Sequence, residues 1–199
     1  EVFVPDEGTE VSNNALTFNG TTDWVELQGF NGVTGSNART VEAWIKTSAA
    51  APGDFISWGT NTAGKKWTIR LDNVSPFTGR LRLEVGSAWA IGTKVINDGQ
   101  WHHIAITYPG GKLSNARLYV DGMPDAIVNI WESDVNTAES GAVQISKGFH
   151  GRYWQGEIDE LRFWNVARTA EEIYAAYNCP LTNPTEILGL VRYYNFNRT

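Results

Sequence analysis

The sequence has little of what disulfide scaffolds, zinc sites and membrane spans require. Its 199 residues contain a single cysteine, Cys179, which excludes an intrachain disulfide framework and a cysteine-based zinc site. No apolar run approaches the roughly 20 residues of a membrane helix, so we expect no membrane insertion. No basic segment followed by an apolar one begins at Glu1. We therefore expect a mature form or an excised part of a longer protein.

A surplus of positive charge is also missing. Lys and Arg number 16 and Asp and Glu 22, which gives a net charge of −6. Such a chain has no electrostatic attraction for nucleic acid or for an anionic membrane. Apolar residues make up 42% and charged residues 19%, which argues against disorder. A chain of this length can bury roughly 70% of its unfolded surface, so one domain over residues 1–199 is expected.

Glycine and tryptophan, in contrast, are abundant, with 20 and 9 copies. Many glycines together with many aromatics are typical of short strands joined by tight turns. Apolar and polar residues alternate along most of the chain, and Leu81, Leu83 and Val85 do so in one clear case. This period of two predicts antiparallel strands with one buried face. The predicted strands cover residues 15–18, 23–27, 40–46, 54–58, 66–71, 80–85, 101–108, 116–121, 124–129, 142–146, 157–164 and 189–196.

Turn and capping signals complete the predicted architecture. Asp-Gly pairs at 98–99 and 121–122 stand between apolar strands and predict hairpins, because glycine tolerates the positive φ of a type I′ turn. Thr169 and Glu172 fit a capping box that begins a helix over 169–177. About a dozen strands with one late helix predict an all-β fold, a two-sheet antiparallel β-sandwich of the jelly-roll type.

Several stretches of the sequence occur together in one known family. They are Ala-Leu-Thr-Phe-Asn-Gly at 15–20, Thr-Val-Glu-Ala-Trp-Ile at 40–45, the central segments 99–105 and 118–122, and Gly-Glu-Ile-Asp-Glu-Leu-Arg-Phe-Trp-Asn at 156–165. Their order resembles that of the laminin G-like, concanavalin A-like jelly-roll family, and segment 189–196 resembles a terminal strand of its bacterial members. The resemblance implies a domain that binds sugars or proteins, or less often an enzyme that cleaves polysaccharides. The fold alone does not decide among these functions.

The closing stretch carries a candidate catalytic motif. Glu157 and Asp159 resemble the Glu-x-Asp motif of retaining jelly-roll glucanases, which need two carboxyl groups about 5–5.5 Å apart. The resemblance places the remaining carboxylate at position 161 or 162, where this chain has Leu161 and Arg162. Glu160 is one residue off and points to the other face unless a bulge intervenes. We therefore expect no catalytic residues and a non-enzymatic domain.

Calcium is the metal that the resemblance implies. Members of the family often hold a structural calcium ion between the first hairpin and the closing strand, which on this chain implicates Asp159 with Asn19 or Asp23. Calcium prefers several carboxylate and carbonyl oxygens, which these residues supply. A pentraxin-style calcium bridge to the ligand is not expected, because residues 146–154 contain no carboxylate.

Large aromatic side chains in or beside predicted loops form the candidate binding site. A large ring in a polar loop is costly unless it packs or binds, and loops on a rigid sandwich commonly carry binding residues. One loop combines rings with hydrogen-bond donors and a glycine. The predicted ligand-binding residues are Trp131, Phe149, His150, Arg152, Tyr153, Trp154, Trp89 and Phe77.

These observations together favour a non-catalytic carbohydrate-binding, lectin-like module of a secreted or cell-surface multi-domain protein. Its partner would be a glycan or polysaccharide, held by loop aromatics with polar neighbours, while calcium braces the scaffold. One alternative is an adhesion or protein-interaction domain that uses the same loops or a sheet face. Another is a polysaccharide-cleaving enzyme, which would need a second carboxylate from Asp72, Glu84 or Asp125.

Overall fold

The computed structural model describes residues 14–181 and 183–197, and the other positions of the predicted 1–199 domain lie outside the described residues. Short strands joined by tight turns dominate, with 3₁₀ turns at Leu113–Asn115 and Pro184–Glu186. Among the described residues, no helix is long and apolar enough to cross a membrane. The elements are β1 Leu16–Asn19, β2 Val25–Leu27, β3 Arg39–Lys46, β4 Asp54–Gly59, β5 Lys66–Leu71, β6 Arg80–Val85, β7 Ala88–Val95, β8 Trp101–Tyr108, β9 Arg117–Val120, β10 Met123–Asp125, β11 Asn129–Trp131, β12 Val143–Ile145, β13 Gln155–Trp164, α1 Ala170–Ala176 and β14 Leu190–Tyr194.

The strands form two sheets of seven strands each, and the pairings between these strands are antiparallel. The first sheet has the order β1-β13-β3-β8-β9-β10, and β14 also pairs with β13. The second sheet has the order β11-β7-β6-β5-β4-β12-β2. This architecture confirms the predicted two-sheet sandwich.

Strand alternation decides which side chains enter the core between the sheets. In β5, Trp67, Ile69 and Leu71 are fully buried and belong to the core cluster. Because successive side chains on a strand point to opposite faces, Lys66 and Arg70 lie on the outward face of the second sheet. The same alternation in β6 directs its leucines inward and its charged residues outward.

Two strands differ from the predicted ones. β7 was predicted as loop, because Trp89, Ala90, Ile91 and Gly92 do not alternate in polarity. The predicted strand 124–129 is divided between β10 and β11, which belong to different sheets. Trp89 and Trp131 therefore lie in paired strands of the second sheet, Trp89 near the start of β7 and Trp131 at the end of β11, which is consistent with the expectation that they stand in or beside loops.

Helix α1 covers the outward face of the first sheet. Its capping box is confirmed, since Thr169 Oγ1 accepts from the backbone N–H of Glu172, and a Glu172 carboxylate oxygen accepts from the N–H of Thr169. One turn later, Ile173 is fully buried against Ala105 and Tyr119 of the first sheet. Helix α1 therefore packs on the first sheet and not on the second.

The two described ends of the chain meet at one edge of the first sheet. β1 pairs with the first half of β13 and β14 with its second half, on the same side. The backbone N–H of Asn14 donates to Oδ1 of Asn197 at 2.9 Å. The sandwich is thus closed at one corner by residues that are far apart in sequence.

Candidate functional site

The outward face of the second sheet carries a group of interacting charged side chains. Strand alternation places those of β5 and β6 there, because their neighbours point into the core. In β4, a β-bulge between Asp54 and Ile56 brings Asp54 opposite Arg70 on the same face. Most of them are nearly inaccessible to solvent, which is unusual for charged groups on the outer face of a sheet. We call this group the charge network; it consists of Asp54, Lys66, Arg70, Asp72, Arg82, Glu84 and Arg152.

Glu84 is the centre of the charge network. Its carboxylate forms an ion pair with Lys66, lies 2.9 Å from Arg82 Nη2, and lies 3.7 Å from guanidinium nitrogens of both Arg70 and Arg152. Burial alone would raise the pKa of Glu84, but the hydrogen bond from Lys66 and the surrounding cations hold this pKa below its ordinary value. Glu84 therefore stays ionised and organises four cations around itself.

A loop formed by residues 147–153 crosses the charge network and is fastened to it. Arg152 donates from Nε and Nη2 to the two Asp54 carboxylate oxygens, at 2.9 Å and 3.1 Å. The backbone of Gly148 lies against the same carboxylate and leaves no room for a Cβ. Further along, Lys66 Nζ lies 5.7 Å from the centre of the Phe149 ring. Burial raises the pKa of Asp54, and the hydrogen bond from Arg152 offsets only part of this effect.

Beside the charge network stands a column of stacked side chains, which we call the Trp89–Trp131 platform. The two indole rings are stacked with centroids 6.1 Å apart and an interplanar angle of 24°. Arg82 lies over the Trp89 ring at 4.8 Å, and Asn129 Oδ1 accepts a 2.6 Å hydrogen bond from Trp89 Nε1. Trp131, on the edge strand β11, is 63% exposed. The platform thus presents an open aromatic face held rigid from beneath.

The platform and the charge network are continuous across the strands. Glu84 on β6 pairs with Trp89 on β7, which pairs with Trp131 on β11. Because Arg152 lies between Asp54 on β4 and Glu84 on β6, its guanidinium lies about three strand spacings, or roughly 14 Å, from Trp131. An aromatic surface and a cationic group therefore share one outward face.

Part of the predicted loop site belongs to this face. Phe149 is 37% exposed and His150 is exposed at the tip of the 147–153 loop, while Arg152 is half-buried. Tyr153 is half-buried and forms bridge pairings with Asp54 and Lys147 through its backbone.

Two predicted ligand-binding residues are placed elsewhere. Trp154 is completely buried and packs edge-on against Phe55, with ring centroids 5.6 Å apart. Its large ring fills the core, so its assignment to the binding loop was wrong. Phe77 is half-buried beside Arg80, at the end of the sheet opposite to the Glu84–Trp89 pair, because it precedes β6. The structure does not bring Phe77 to the platform.

Sequence reasoning did not assign the charged residues of β4 to β6 to the site. The signal was present, since Lys66, Thr68 and Arg70 alternate with the core residues of β5. Such alternation predicts an outward charged face but not that the face is buried. The face is covered because Arg152, which is 98 positions from Asp54 in the sequence, donates to the Asp54 carboxylate.

The carboxylates of the glucanase-like motif are occupied by neighbours. Glu157 pairs with Lys46 at 3.0 Å. A β-bulge shifts the register between Asp159 and Arg162, and Glu160 takes a positive φ of 51°. Glu160 then accepts from the Tyr193 hydroxyl and from Arg162, each at 2.7 Å. The bulge, and not strand alternation, decides where Glu160 points.

The three residues of the predicted calcium site do not meet at one point. Asn19 Oδ1 accepts from the backbone N–H groups of Thr21, Thr22 and Asp23, and Asp23 Oδ2 accepts from that of Asn19. Asn19 pairs with Gln155, which is about 13 Å along β13 from Asp159.

Elsewhere in the described ranges no group of three or more His, Cys, Asp or Glu side chains is placed to hold a metal ion. Asp159 therefore does not fit an ion held by the first hairpin, and calcium stays a prediction for Asn19 and Asp23 alone.

Comparison with protein families identifies a match over most of the chain. Residues 19–174 match the family described as the concanavalin A-like lectin/glucanases superfamily. No curated protein is similar to the chain. The matched residues include the charge network and strands β2 to β13, but only the last residue of β1 and none of β14.

Solved structures with the same fold include three informative ones. A candidate carbohydrate-binding protein from Bacteroides ovatus has a TM-score of 0.62 and 22% identity over 89% of this chain, which spans 50% of that protein. The native heptameric SAP-like pentraxin from Limulus polyphemus has a TM-score of 0.64 and 19% identity, covering 94% of this chain and 92% of the pentraxin.

The third is domain 4 of AbnA, a GH43 extracellular arabinanase from Geobacillus stearothermophilus, in complex with arabinotriose. It has a TM-score of 0.62 and 21% identity, covering 82% of this chain and 76% of that one. At these identities the three structures show that the fold is shared.

Proposed function

The chain belongs to the concanavalin A-like lectin/glucanases superfamily, and we propose that it is a non-catalytic module that binds a glycan on the outward face of its second sheet. The observation that carries this proposal is the Trp89–Trp131 platform beside the charge network. An exposed indole held from beneath by a second indole and by Arg82 is a preorganised surface. Preorganisation lowers the entropy lost on binding.

The chemistry of the face suits a sugar. The apolar face of a pyranose ring packs on an aromatic ring, which supplies contact area. Hydroxyl groups need directed donors and acceptors, which Arg152 and His150 supply beside the platform. A few polar groups beside an apolar contact are typical of small-ligand sites.

Two of the similar structures support a glycan ligand. The Bacteroides ovatus protein is described as a candidate carbohydrate-binding protein, and the arabinanase domain holds arabinotriose. We carry this ligand class to the present chain because its own exposed platform offers the matching chemistry.

The occupied carboxylates support a non-catalytic role. Retaining glycosidases need a free nucleophile and a free acid/base about 5–5.5 Å apart. Glu157 is paired with Lys46, and Glu160 accepts hydrogen bonds from Tyr193 and Arg162. We expect no new reducing ends when the protein is incubated with β-glucans or algal polysaccharides. Release of reducing sugar that scales with protein concentration would contradict this part of the proposal.

A glycan ligand also bears on location. We propose a secreted or cell-surface protein, because polysaccharides accumulate outside cells and the arabinanase with the similar domain is described as extracellular.

A glycan array tests the proposed function. Wild-type protein should bind at least one glycan class, and Trp131→Ala should weaken that binding by a factor of ten or more, because the stacking surface is lost. Trp101→Ala is the matched control, since Trp101 is 36% exposed but lies on the first sheet. Equal loss in both variants, or no binding to any glycan, would contradict the proposal.

A protein partner is the second candidate. Exposed tryptophan and half-buried arginine are the side chains that most often dominate protein interfaces, and Trp131 and Arg152 are of these types. A partner protein that binds the wild type, loses binding with Trp131→Ala and is not displaced by any sugar would favour this function over glycan binding.

A further inference from the structure

We propose that the glycan is acidic and spans at least two sugar units, with its carboxylate or sulfate group held by Arg152 while a neighbouring ring stacks on Trp131. This inference rests on the proposed function and specifies the ligand class for the same face.

The first argument is charge balance. The charge network combines the cations Lys66, Arg70, Arg82 and Arg152 with only three carboxylates, those of Asp54, Asp72 and Glu84. A surplus cation in a partly buried cluster is unfavourable unless an anion neutralises it. Burial and the neighbouring Arg152 lower the pKa of Arg70, which shows how closely the cations are held together. The whole chain has a net charge of −6, so the positive surplus of the charge network contrasts with the charge of the rest of the molecule.

The second argument is the geometry of Arg152. Its Nε and Nη2 atoms bind Asp54 and so use one edge of the guanidinium. No described residue accepts a hydrogen bond from Nη1, and the side chain is 28% exposed, the largest exposure among the four cations. Arginine presents its donors in a fixed planar fork that matches carboxylate and oxyanion groups. Arg152 is therefore fixed by Asp54 with its remaining donors available to a ligand.

The third argument is spacing. Arg152 lies about three strand spacings from Trp131, roughly 14 Å. One pyranose ring stacked on Trp131 cannot also place an acidic group at Arg152. A ligand that satisfies both contacts must continue for at least one further sugar unit toward the 147–153 loop.

Matched pairs of oligosaccharides test the acidic group. The probes are 3′-sialyllactose and lactose 3′-sulfate against lactose, and trigalacturonate against its methyl ester, each measured by titration calorimetry with the whole chain. We expect at least one acidic probe to bind tenfold or more tightly than its neutral counterpart. Raising the salt from 50 to 500 mM should reduce this preference, because the ion pair is partly exposed. Comparison of the carboxylate-bearing probes with the sulfate-bearing probe shows which anion is preferred.

Variants of Asp54 and Arg152 test whether Arg152 causes the preference for acidic over neutral probes. The double substitution Asp54→Asn with Arg152→Gln removes both charges together, so that neither is left buried alone. It should abolish the preference for the acidic probe, so that the dissociation constants of the acidic probe and of its neutral counterpart lie within threefold of each other. Arg152→Lys should retain only part of the preference, because lysine lacks the fork. Arg117→Gln is the control, since Arg117 is exposed on the first sheet, and thermal melts confirm that each variant is folded.

The results separate the two proposals. Neutral counterparts that bind as tightly as every acidic probe, with Trp131→Ala still abolishing binding, would overturn the acidic ligand and leave the glycan function standing. An acidic preference that persists in the double variant would overturn the role of Arg152. No binding of any oligosaccharide, acidic or neutral, would overturn both proposals.

Discussion

At the scale of single residues, His102 joins two turns of the first sheet through two carboxylates. Its Nδ1 lies 3.0 Å from Asp121 and its Nε2 lies 3.2 Å from Asp98. The hydrogen bond with Asp121 is the largest cause that raises the pKa of His102 above its ordinary value of 6.5. Because the folded state holds this proton more tightly, the interaction stabilises the fold below pH 6.5, and this contribution is lost as the pH rises through the raised pKa.

We therefore predict that His102→Gln makes the stability of the protein less dependent on pH above about 6. The free energy of unfolding, measured by urea denaturation from pH 5 to 9, should fall with rising pH in the wild type and fall less in the variant. His150→Gln is the control, because His150 is exposed at a loop tip. An identical pH dependence in wild type and His102→Gln would contradict the role assigned to the two carboxylates.

The carboxyl group of Asp159 affects the stability of the fold at lower pH than His102 does. Burial raises the pKa of its carboxyl from 3.8 to about 7, although the N–H of Glu160 donates to it. The folded state thus keeps a proton that the unfolded chain has already released. The free energy of unfolding should fall as the pH rises from about 4 to about 7.

Asp159→Asn should remove that fall, because the amide cannot ionise and its oxygen can still accept from Glu160. Stability of this variant at pH 4.5 and pH 7.5, compared with the wild type by thermal melts, is the measurement. A wild-type stability that does not decrease over this interval would show that Asp159 ionises normally.

Single residues also show where sequence reasoning succeeds. Trp131 and Phe149 were predicted to be available to a ligand, because polar residues stand near both in the sequence. Both side chains are exposed in the structure. Trp154 stands in an equally polar segment and is completely buried. The difference arises from Phe55, which contacts it and lies 99 positions away, and such contacts leave no local pattern.

At the scale of elements, helix α1 has a local sequence signal, its capping box, and a tertiary contact, the packing of Ile173 on the first sheet. The capping box of Thr169 and Glu172 is readable from four residues, and the structure confirms it. β7 carries no comparable signal, because its first five residues are mostly buried whichever face they are on, and one of them is Gly92. Elements that are specified locally were predicted, whereas β7 owes its conformation to the strands on either side.

The capping box contributes measurably to the free energy of unfolding. Thr169→Ala should lower the free energy of unfolding by about 1 kcal/mol, because the N–H of Glu172 loses its acceptor at the start of a seven-residue helix. Urea denaturation measures the change. Thr185→Ala serves as the control, since Thr185 is exposed. Equal losses in the two variants would mean that the capping bonds contribute nothing specific.

At the scale of the whole molecule, the two outward faces differ in what lies on them. The first sheet is covered by α1, whereas the second carries the platform and the charge network. The overall sandwich was predictable from alternation and turns. The face that we propose for binding was not, because it depends on which sheet the helix covers and on how the 147–153 loop folds back.

Calcium is tested on the intact domain. If Asn19 and Asp23 hold an ion, the melting temperature should rise with added CaCl₂ and not with MgCl₂, since calcium tolerates the irregular oxygen ligands of a hairpin loop. Asp23→Asn should abolish the increase. A melting temperature that is unaffected by calcium, or one that responds equally in Asp23→Asn, would exclude these residues as ligands.

The contact between Asn14 and Asn197 has a consequence for the topology of the polypeptide. Since the described backbone from Asn14 to Asn197 is nearly a closed ring, this part of the chain can be opened elsewhere and joined where those two asparagines touch. A circular permutant with new termini at the exposed Gly141 should fold to the same sandwich, because no neighbouring atom packs where a side chain on that glycine would lie.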